Sequence, residues 1–556
     1  MMKISEKLKL KGEFDERSRV ILTPRRIMKK YGDVTGSHYL LSPCESQMTF
    51  TVTPCVMRTT ADKHAGLLID FGREFSGSVK LFVRRVHTES GRADIFVRFG
   101  ESAYEALTPL GEKGTTNDHA NREFVINAGI LSTNETGESG LRFVYIELLD
   151  EGDIELKAVQ GVFNFRNVEA LGSFECSDEK LNKIWNTAAY TVLLCMQEYL
   201  WDGVKRDRLV WMGDMHTEIK TILAAYGNND IIPRSLDFIK NDTPDGKWMN
   251  GIPSYSMWWL IAERDYYKAW GDNDYLTSQK KAIFELTARL IATVGDDGSE
   301  DTPDWRFIDW PTSENKDAIH AGLQGLLKMA IDAGGELAAA LCNDELSAEC
   351  AECSEKLAAK APDVAASKQA AALLALSGIE DAKTMNDTVI AVDGAHRYSA
   401  FFGYYILKAK ALAGDYQGAL DDMRTYWGGM LDMGATTFWE DFDIDWTENA
   451  LGIDALPSDA KPNIHADFGA YCYKGLRHSL CHGWSSGPCA YISEHVLGVN
   501  QIDADTFVIK PELCDLDYAR GTYPTRRGVI EIYAENRHGK TKFKVKAPRG
   551  IKIKRG

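Results

Sequence analysis

The chain has 556 residues, 44% hydrophobic and 26% charged, which is the composition of an ordinary globular protein with several domains. Its formal net charge of −17 argues against a nucleic acid or a membrane as partner, because phosphate groups would be repelled. The first residues, "MMKISEKLKLKGEF", lack the apolar core of a secretory signal, and no apolar run has the length of a membrane span. Since eleven scattered cysteines also fit free thiols, we expect a cytoplasmic protein.

Residues 1–168 are predicted to form an N-terminal β-sandwich. Apolar and polar residues alternate in segments 66–86, 93–102 and 141–151, and the first of these does so across a glycine turn. Strands do not alternate with helices here, and neither a GxGxxG nor a Walker sequence occurs, so no nucleotide cofactor is expected.

Residues 169–496 have the hydrophobic period of helices. Capping residues, apolar spacing and terminal glycines predict helices within segments 177–200, 213–227, 255–271, 275–295, 320–342 and 398–415. Such a succession suggests hairpins closed into a six-hairpin (α/α) barrel. Strands return at 507–513, 528–535 and 540–548, which predicts a small C-terminal β-domain over 497–556.

The stretch "WDGVKRDRLVWMGD", residues 201–214, combines acidic and aromatic side chains. Because tryptophan belongs in a core or a pocket and charges on a solvated face, the mixture indicates a sugar site, where rings stack on C–H faces and carboxylates hold hydroxyls. A helix that begins soon after the glycine places Asp207, Trp211 and Asp214 on one face, with Asp202 in the preceding loop. The alternative is a surface helix whose acids favour the helix dipole, which leaves the tryptophan unexplained.

Further candidates come from three other stretches. In "GATTFWEDFDIDW", Glu440 follows Trp439 in a predicted loop or helix end, although a solvated acid is an alternative. The "DFDID" spacing lacks the glycine and glutamate of a calcium loop. In "LCHGWSSGP", His482 is a hydroxyl-binding candidate, since a helix-like segment before it and a proline after it disfavour a nucleophile elbow. "DWRFIDWP" offers Trp310 as a pocket wall. Metal binding by the only CxxC, at Cys350, is not expected.

The domain order, together with "DGVKRDRLVWMGD", "GATTFWED" and "CHGW", resembles the α-L-rhamnosidases of glycoside hydrolase family 78 over nearly the whole chain. The resemblance implies an (α/α)-barrel catalytic domain, inversion of configuration and no cofactor. The family's first motif commonly reads D-C-P-x-R-E-x-x-x-W, with the glutamate as general acid. Here Asp202, Arg206, Asp207 and Trp211 match it. An aspartate thus stands in the acid position, as in a subgroup of shorter bacterial enzymes.

The same resemblance assigns the remaining roles. Glu440 matches the general base and His482 a histidine that contacts the sugar. We expect Asp202, Arg206 and Asp214 to hold ring hydroxyls, Trp211 and Trp310 to line the side that carries the 6-methyl group, and Trp439 to contribute to the sugar site.

The predicted function is that of a cytoplasmic inverting α-L-rhamnosidase acting on small rhamnosides or oligosaccharides, with no cofactor or metal. The resemblance to the compact subgroup also suggests a homodimer. Two alternatives are another (α/α)-barrel glycosidase, such as one acting on uronyl sugars with a basic pocket at Arg206 and Arg208, and a non-catalytic sugar-binding protein. Nitrophenyl glycosides distinguish the first, and ligand binding without turnover favours the second.

Overall fold

The computed structural model describes residues 15–537 and 540–556, so the N-terminal segment that is predicted to lack a secretory signal, residues 1–14, lies outside the described residues. The chain first forms ten strands of one antiparallel sheet: β1 (Arg17–Leu22), β2 (Arg26–Tyr31), β3 (Asp33–Thr35), β4 (Cys55–Thr59), β5 (Ala65–Thr88), β6 (Ala93–Gly100), β7 (Glu123–Ala128), β8 (Ser132–Glu135), β9 (Ser139–Leu148) and β10 (Gly152–Arg166). Their order in the sheet is β3-β4-β10-β5-β9-β6-β7; β1 also pairs with β10, and β2 and β8 pair with β5.

The glycine turn predicted within 66–86 is wrong, because strand β5 continues through it for 24 residues. The pairing of β5 with β9 shifts register between Asp70 and Phe75, as expected of a bulge. The Asp70 carboxylate accepts the N–H of Gly72, which has a φ of 90°, and binds Arg142 at 2.9 Å. The glycine therefore kinks one strand around a buried ion pair and does not reverse the chain.

The central part is built from helices. They are α1 (Ala103–Leu107), which still lies beside the first sheet, and α2 (Glu179–Cys195), α3 (Met212–Ala225), α4 (Ile231–Asp242), α5 (Pro253–Trp270), α6 (Asn273–Ile291), α7 (Lys316–Ala340), α8 (Asp344–Ala358), α9 (Lys368–Ser377), α10 (Ala382–Met385), α11 (Gly403–Leu412), α12 (Tyr416–Asp432) and α13 (Gly487–Tyr491).

Alternate helices form a closed inner ring. In the order α3, α5, α7, α9, α11 and α13, each packs on the next, and α13 packs on α3. The even-numbered helices α2 to α12 pack outside them as the other halves of the hairpins. The predicted mixed architecture with a six-hairpin barrel is confirmed. Helix α9 was not predicted because almost all of its side chains are buried, so it lacks a polar face and a helical period.

The last residues form two small sheets, one of which also includes a strand that precedes the barrel. Strands β11 (Ser173–Cys176), β14 (Tyr518–Thr525), β15 (Gly528–Arg537) and β16 (Lys540–Lys546) make one, and β12 (Val499–Asp503), β13 (Thr506–Ile509) and β17 (Lys552–Arg555) the other. Ile530 and Ile532 share one hydrophobic core with the barrel helices. The division at 168/169 and 496/497 stays a prediction. Within the described residues, no helix combines the length and apolar character that crossing a bilayer requires.

Candidate active site

The segment 202–211 is an irregular loop, so the helix predicted soon after Gly203 is wrong; α3 begins only at Met212. The Asp202 carboxylate accepts the backbone N–H groups of Asp207, at 3.0 Å, and Leu209, at 3.0 Å. A short acidic side chain that captures nearby backbone donors competes with helix formation. The loop therefore wraps around Asp202 and turns the Asp207 side chain into the barrel funnel.

Lys205 anchors this loop to the first sheet. Its buried ammonium lies 2.9 Å from Glu101 and 3.2 Å from Glu105, and it donates to the carbonyl of His478 at 2.6 Å. Glu101, Glu105 and His465 lie close enough together to hold a metal ion. The ammonium already supplies a positive charge to both carboxylates, so this cluster fits an internal ion pair better than a metal centre.

A pocket of about 150 Å³ opens at the N-terminal ends of the inner helices. Its lining residues are Asp202, Arg206, Asp207, Trp211, Asp214, Ile252, Tyr255, Trp305, Phe307, Trp310, Glu440, Cys472, Tyr473, Arg477, His482 and Trp484. Every predicted site residue except Trp439 is among them. Asp214 lies in the first turn of α3, where the positive end of the helix dipole favours a carboxylate.

The Arg206 guanidinium stands between the two predicted catalytic carboxylates. Nη2 donates to both Glu440 oxygens at 2.9 Å, and Nη1 donates to Asp207 Oδ1 at 2.8 Å. Both carboxylates together outweigh the effect of burial and raise the pKa of Arg206. Arg206 thus links Asp207 and Glu440, which line the same pocket.

Each carboxylate has further donors of its own. The indole N–H of Trp211 donates to Asp207 Oδ2 at 3.2 Å, and Nε2 of His119 lies 3.4 Å from Asp207 Oδ1. Glu440 Oε2 accepts the backbone N–H of Ser479 at 2.9 Å. The Asp207 side chain is 21% exposed and that of Glu440 only 4%. Asp207 therefore lies toward the mouth of the pocket and Glu440 on its floor.

His482 forms a second charged group with Asp214. Its Nε2 lies 3.1 Å from Asp214 Oδ1, and its Nδ1 lies 3.8 Å from Glu440 Oε1. Burial opposes the charged imidazole, but the carboxylates of Glu440 and Asp214 outweigh it and raise the pKa of His482 to about 9. Burial raises the pKa of Asp202 to about 7 and also raises that of Asp214. The floor of the pocket therefore carries one protonated histidine among several acids.

Aromatic rings form the remaining walls. Trp211 meets Tyr255 edge-on at 6.2 Å, and Trp310 meets Phe307 at 5.2 Å and Tyr473 at 5.8 Å. These rings create an apolar surface beside the carboxylates, as predicted for Trp211 and Trp310. The resulting mixture of rings and charges suits a sugar, which has C–H faces and a rim of hydroxyls.

Trp439 does not line the pocket. Its side chain is buried to 1% exposure and packs edge-on against Phe442 and His478. This position does not support direct contact with a sugar. The tryptophan instead packs behind the segment that carries Glu440.

Several residues at the pocket were not predicted as site residues. His119 lies in a loop and Arg477 at the end of a 3-10 turn, both without a recognisable motif, and Arg477 pairs with Asp118. Tyr255 precedes two core tryptophans and reads as part of their helix. Tyr473 lies in a segment that the sequence suggested to be helical, but only Gly475–Arg477 forms a short 3-10 turn.

The rejected motifs have structural roles. Ser485 of the "GWSSG" stretch is buried in a 3-10 turn, Gly483–Ser486, without the strand that a nucleophile elbow needs. In "DFDID", the Asp443 carboxylate caps the N–H of Asp445. Cys350 and Cys353 are buried thiols on α8.

Comparison with known proteins gives matches to several α-L-rhamnosidases. Residues 169–332 match the family model described as the bacterial alpha-L-rhamnosidase six-hairpin glycosidase domain. A curated α-L-rhamnosidase of Formosa agariphila is 23% identical over 179 residues, which cover 31% of this chain and 18% of that protein.

Solved structures share the fold. The family 78 rhamnosidase of Bacillus sp. GL1 superposes with a TM-score of 0.75 at 21% identity, over 93% of this chain and 55% of that one. A rhamnosidase from Klebsiella oxytoca, solved with rhamnose bound, gives 0.69 at 20% identity, over 86% and 96%. The chain thus spans about half the length of the Bacillus enzyme and less of the curated relative. These matches confirm the resemblance to the α-L-rhamnosidases of glycoside hydrolase family 78 that the motifs indicated.

Proposed function

We propose that the chain is a glycoside hydrolase that releases terminal α-L-rhamnose with inversion, using Asp207 as general acid and Glu440 as general base. The observation that supports these roles most directly is the depth of the two carboxylates, 21% and 4% exposed, in the same pocket. In such a pocket the terminal sugar enters first and the leaving group points outward. The acid must reach the leaving oxygen, so it belongs near the mouth.

The surrounding groups fit these two tasks. Trp211 and Arg206 each donate to one oxygen of Asp207 and fix its direction. Glu440 is oriented by Arg206 and by the N–H of Ser479, and it activates a water that attacks the anomeric carbon from the floor. General acid and base catalysis each need such positioned groups within hydrogen-bond reach of the moving proton.

We infer inversion from the resemblance to glycoside hydrolase family 78. Inverting enzymes hold their carboxylates about 6.5–9.5 Å apart and leave room for a water, whereas retaining enzymes hold them about 5–5.5 Å apart. Arg206 binds Asp207 through Nη1 and Glu440 through Nη2, so both carboxylates lie in one pocket. The family resemblance favours the wider spacing, in which water attacks directly.

The other pocket residues are assigned to sugar binding. Asp202, Asp214 and the charged His482 present acceptors and a donor for ring hydroxyls at the floor. Trp211 and Trp310 form the apolar side, which suits the 6-methyl group of rhamnose. The substrates are accordingly small rhamnosides or oligosaccharides. Three expectations stay predictions: that neither a nucleic acid nor a membrane is a partner, that the protein is cytoplasmic, and that it forms a homodimer.

A uronyl sugar would need an unpaired cation in the pocket. Arg206 is bound to Glu440 and Asp207, and Arg477 pairs with Asp118, so both arginines that line the pocket are already neutralised. Nitrophenyl α-L-rhamnoside, β-D-glucuronide and α-L-arabinofuranoside test the assignment. We expect hydrolysis of the rhamnoside only. Comparable hydrolysis of the glucuronide would favour the uronyl alternative, and binding of rhamnose without any hydrolysis would favour a non-catalytic protein.

A further inference from the structure

A second cavity, of about 400 Å³, lies beside the active pocket. We name it the lateral cavity; its lining residues are Pro311, Thr312, Asn315, Ala365, Ala366, Ser367, Lys368, Gln369, Arg397, Tyr398, Asp441, Phe442, Asp443, Trp446, Ala470 and Tyr471. Glu440 and Cys472 line the active pocket, while their chain neighbours Asp441 and Tyr471 line the lateral cavity. The wall between the two cavities is therefore a single layer of chain.

Aromatic rings face this cavity as they face the active pocket. The Tyr471 ring is partly exposed and stacks on Trp310, with 6.1 Å between centroids and 25° between planes. On the other side, Trp446 meets Phe442 edge-on at 6.4 Å. Ring faces of this kind offer apolar area to the C–H surface of a sugar. One of them, Tyr471, lies on the rim that both cavities share.

Asp441 supplies an unsatisfied polar group. Its Oδ1 accepts the N–H of Phe442 at 3.0 Å, whereas its buried Oδ2 forms no hydrogen bond of good geometry, although the backbone N–H of Ala470 also acts on this carboxyl. Burial first, and then the charge of Glu440, raise the pKa of Asp441 to about 7. A buried acceptor without a partner costs free energy that a ligand hydroxyl can recover. When protonated, the carboxyl can also donate a hydrogen bond, so a ligand hydroxyl can act toward it as donor or as acceptor.

The charges around the cavity are balanced. Lys368 and Arg397 stand against Asp441 and Asp443, and the Lys368 ammonium is already bound to the carbonyl of Gly394. A charged ligand therefore gains little from this cavity over a neutral one. Ala365 and Ala366 keep left-handed backbone, with φ of 46° and 59°, which is unfavourable for residues other than glycine and is found most often at functional sites.

We propose that the lateral cavity binds a neutral sugar unit. The unit belongs either to the part of a rhamnoside remote from the scissile bond, which reaches the cavity over Tyr471, or to a separate saccharide. The first source rests on the proposed rhamnosidase function; the second does not. The test measures binding without turnover, so that failure of the rhamnosidase assignment, seen as no hydrolysis of nitrophenyl rhamnoside, remains distinguishable.

Two substitutions probe the cavity, Trp446→Ala and Arg397→Ala. Asp441 is left intact because it adjoins Glu440 in the chain. Arg58→Ala is the matched control, since Arg58 is a similarly exposed arginine with an ion pair, at 3.9 Å to Asp33, in the first sheet. Arg397 pairs at 3.6 Å with Asp393. Thermal unfolding within a few degrees of the parent establishes that each variant is folded, and Arg397→Ala serves if Trp446→Ala is not.

The first probe is cellotriose, added while saturating L-rhamnose occupies the active pocket and followed by NMR titration. The second is α-L-rhamnosyl cellotriose, titrated by calorimetry against proteins that also carry Glu440→Gln, with methyl α-L-rhamnoside as reference. Loss of a ring contact or a hydrogen bond weakens binding by about tenfold. Weaker cellotriose binding in both cavity variants but not in Arg58→Ala supports a site for a separate saccharide.

A loss confined to rhamnosyl cellotriose, with methyl rhamnoside unchanged, supports a site for the remote part of the substrate. Two results would overturn the proposal. One is that all folded variants bind both saccharides with equal affinity. The other is that cellotriose does not bind and that rhamnosyl cellotriose binds no more tightly than methyl rhamnoside.

Discussion

Nη2 of Arg206 lies 2.9 Å from each carboxylate oxygen of Glu440, and both side chains are buried. Two charge-assisted contacts from this one nitrogen hold the Glu440 carboxylate in position. The same guanidinium holds Asp207 through Nη1. Arg206 therefore sets the relative placement of the two groups to which we assign acid and base catalysis.

Arg206→Lys tests this placement. A lysine keeps the charge, but its single nitrogen cannot replace the two guanidinium nitrogens that bind Asp207 and Glu440. Charge-assisted hydrogen bonds contribute about 1.5–3 kcal/mol, so kcat/KM for a rhamnoside should fall by about 10- to 100-fold or more. The control is Arg520→Lys, because Nη2 of Arg520 contacts both oxygens of Glu175 at 2.8 and 2.7 Å on the protein surface. Steady-state kinetics measure kcat/KM of both variants. Full activity of Arg206→Lys as well as of the control would show that the guanidinium contacts to Asp207 and Glu440 are dispensable.

Asp207→Asn tests the general acid. An acid contributes roughly 10²–10⁴-fold, and most where the leaving group is poor. The variant should lose far more rate on a rhamnosyl disaccharide than on 2,4-dinitrophenyl α-L-rhamnoside, which departs without protonation. Asp214→Asn is the matched control, since Asp214 binds His482 and is assigned to sugar binding. Equal losses of Asp207→Asn on both substrates would move the acid to another residue.

Much of this site could be predicted from the sequence because its residues lie in short dense motifs. Asp202, Asp207, Trp211, Asp214, Glu440 and His482 all line one pocket, as expected. The local structure between Asp202 and Trp211 could not be, because the Asp202 carboxylate takes backbone N–H groups that a helix would use. His119 and Arg477 were missed because long-range loop packing, and not a local pattern, brings them to the rim.

The barrel helices that have one polar and one apolar face were equally predictable from the sequence. Helix α9 could not be predicted, since burial on all sides removes the helical period of its hydrophobic residues. The glycine within β5 indicated a turn, but the strand has a bulge there, next to the ion pair of Asp70 and Arg142. Lys205 is a further example: its neighbours in the chain line the pocket, but its partners Glu101 and Glu105 lie about 100 residues earlier, just after strand β6.

Lys205→Met tests that anchor. The substitution leaves Glu101 and Glu105 buried without their ammonium, and removal of one partner from a buried ion pair costs about 3–5 kcal/mol. We expect the free energy of unfolding in urea to fall by that amount at pH 8, and by less at pH 5, where the abandoned carboxyls take up protons. Lys546→Met, which removes an exposed 2.6 Å pair with Glu531, should cost under about 1 kcal/mol. A similar small cost for both would contradict the anchor.

His482→Gln tests the charge on the pocket floor through the pH dependence of stability. The pKa of His482 is raised to about 9 in the folded protein, above about 6.5 in an unfolded chain. Its contribution is therefore fully present below pH 6.5 and is lost as the pH rises through 9. The variant should be roughly 3 kcal/mol less stable than the parent at pH 6, with the difference shrinking by pH 10.

The control for that series is His87→Gln, since His87 is an exposed histidine that lies 3.0 Å from Asp153. Its substitution should change stability by less than about 1 kcal/mol at every pH. Urea unfolding followed by fluorescence across pH 6–10 gives both curves. A deficit of His482→Gln that is independent of pH would mean that the imidazole is neutral in the folded protein.

The stereochemistry of the first product tests the central claim most directly, because it depends on the placement of Asp207 and Glu440 around Arg206. A general base that directs water inverts the anomeric carbon, whereas a nucleophile at that position retains it through two displacements. Proton NMR of an α-L-rhamnoside during the first minutes of hydrolysis distinguishes the anomers before they interconvert in water. We predict that β-L-rhamnose forms first. First-formed α-L-rhamnose would contradict the account and make Glu440 a nucleophile.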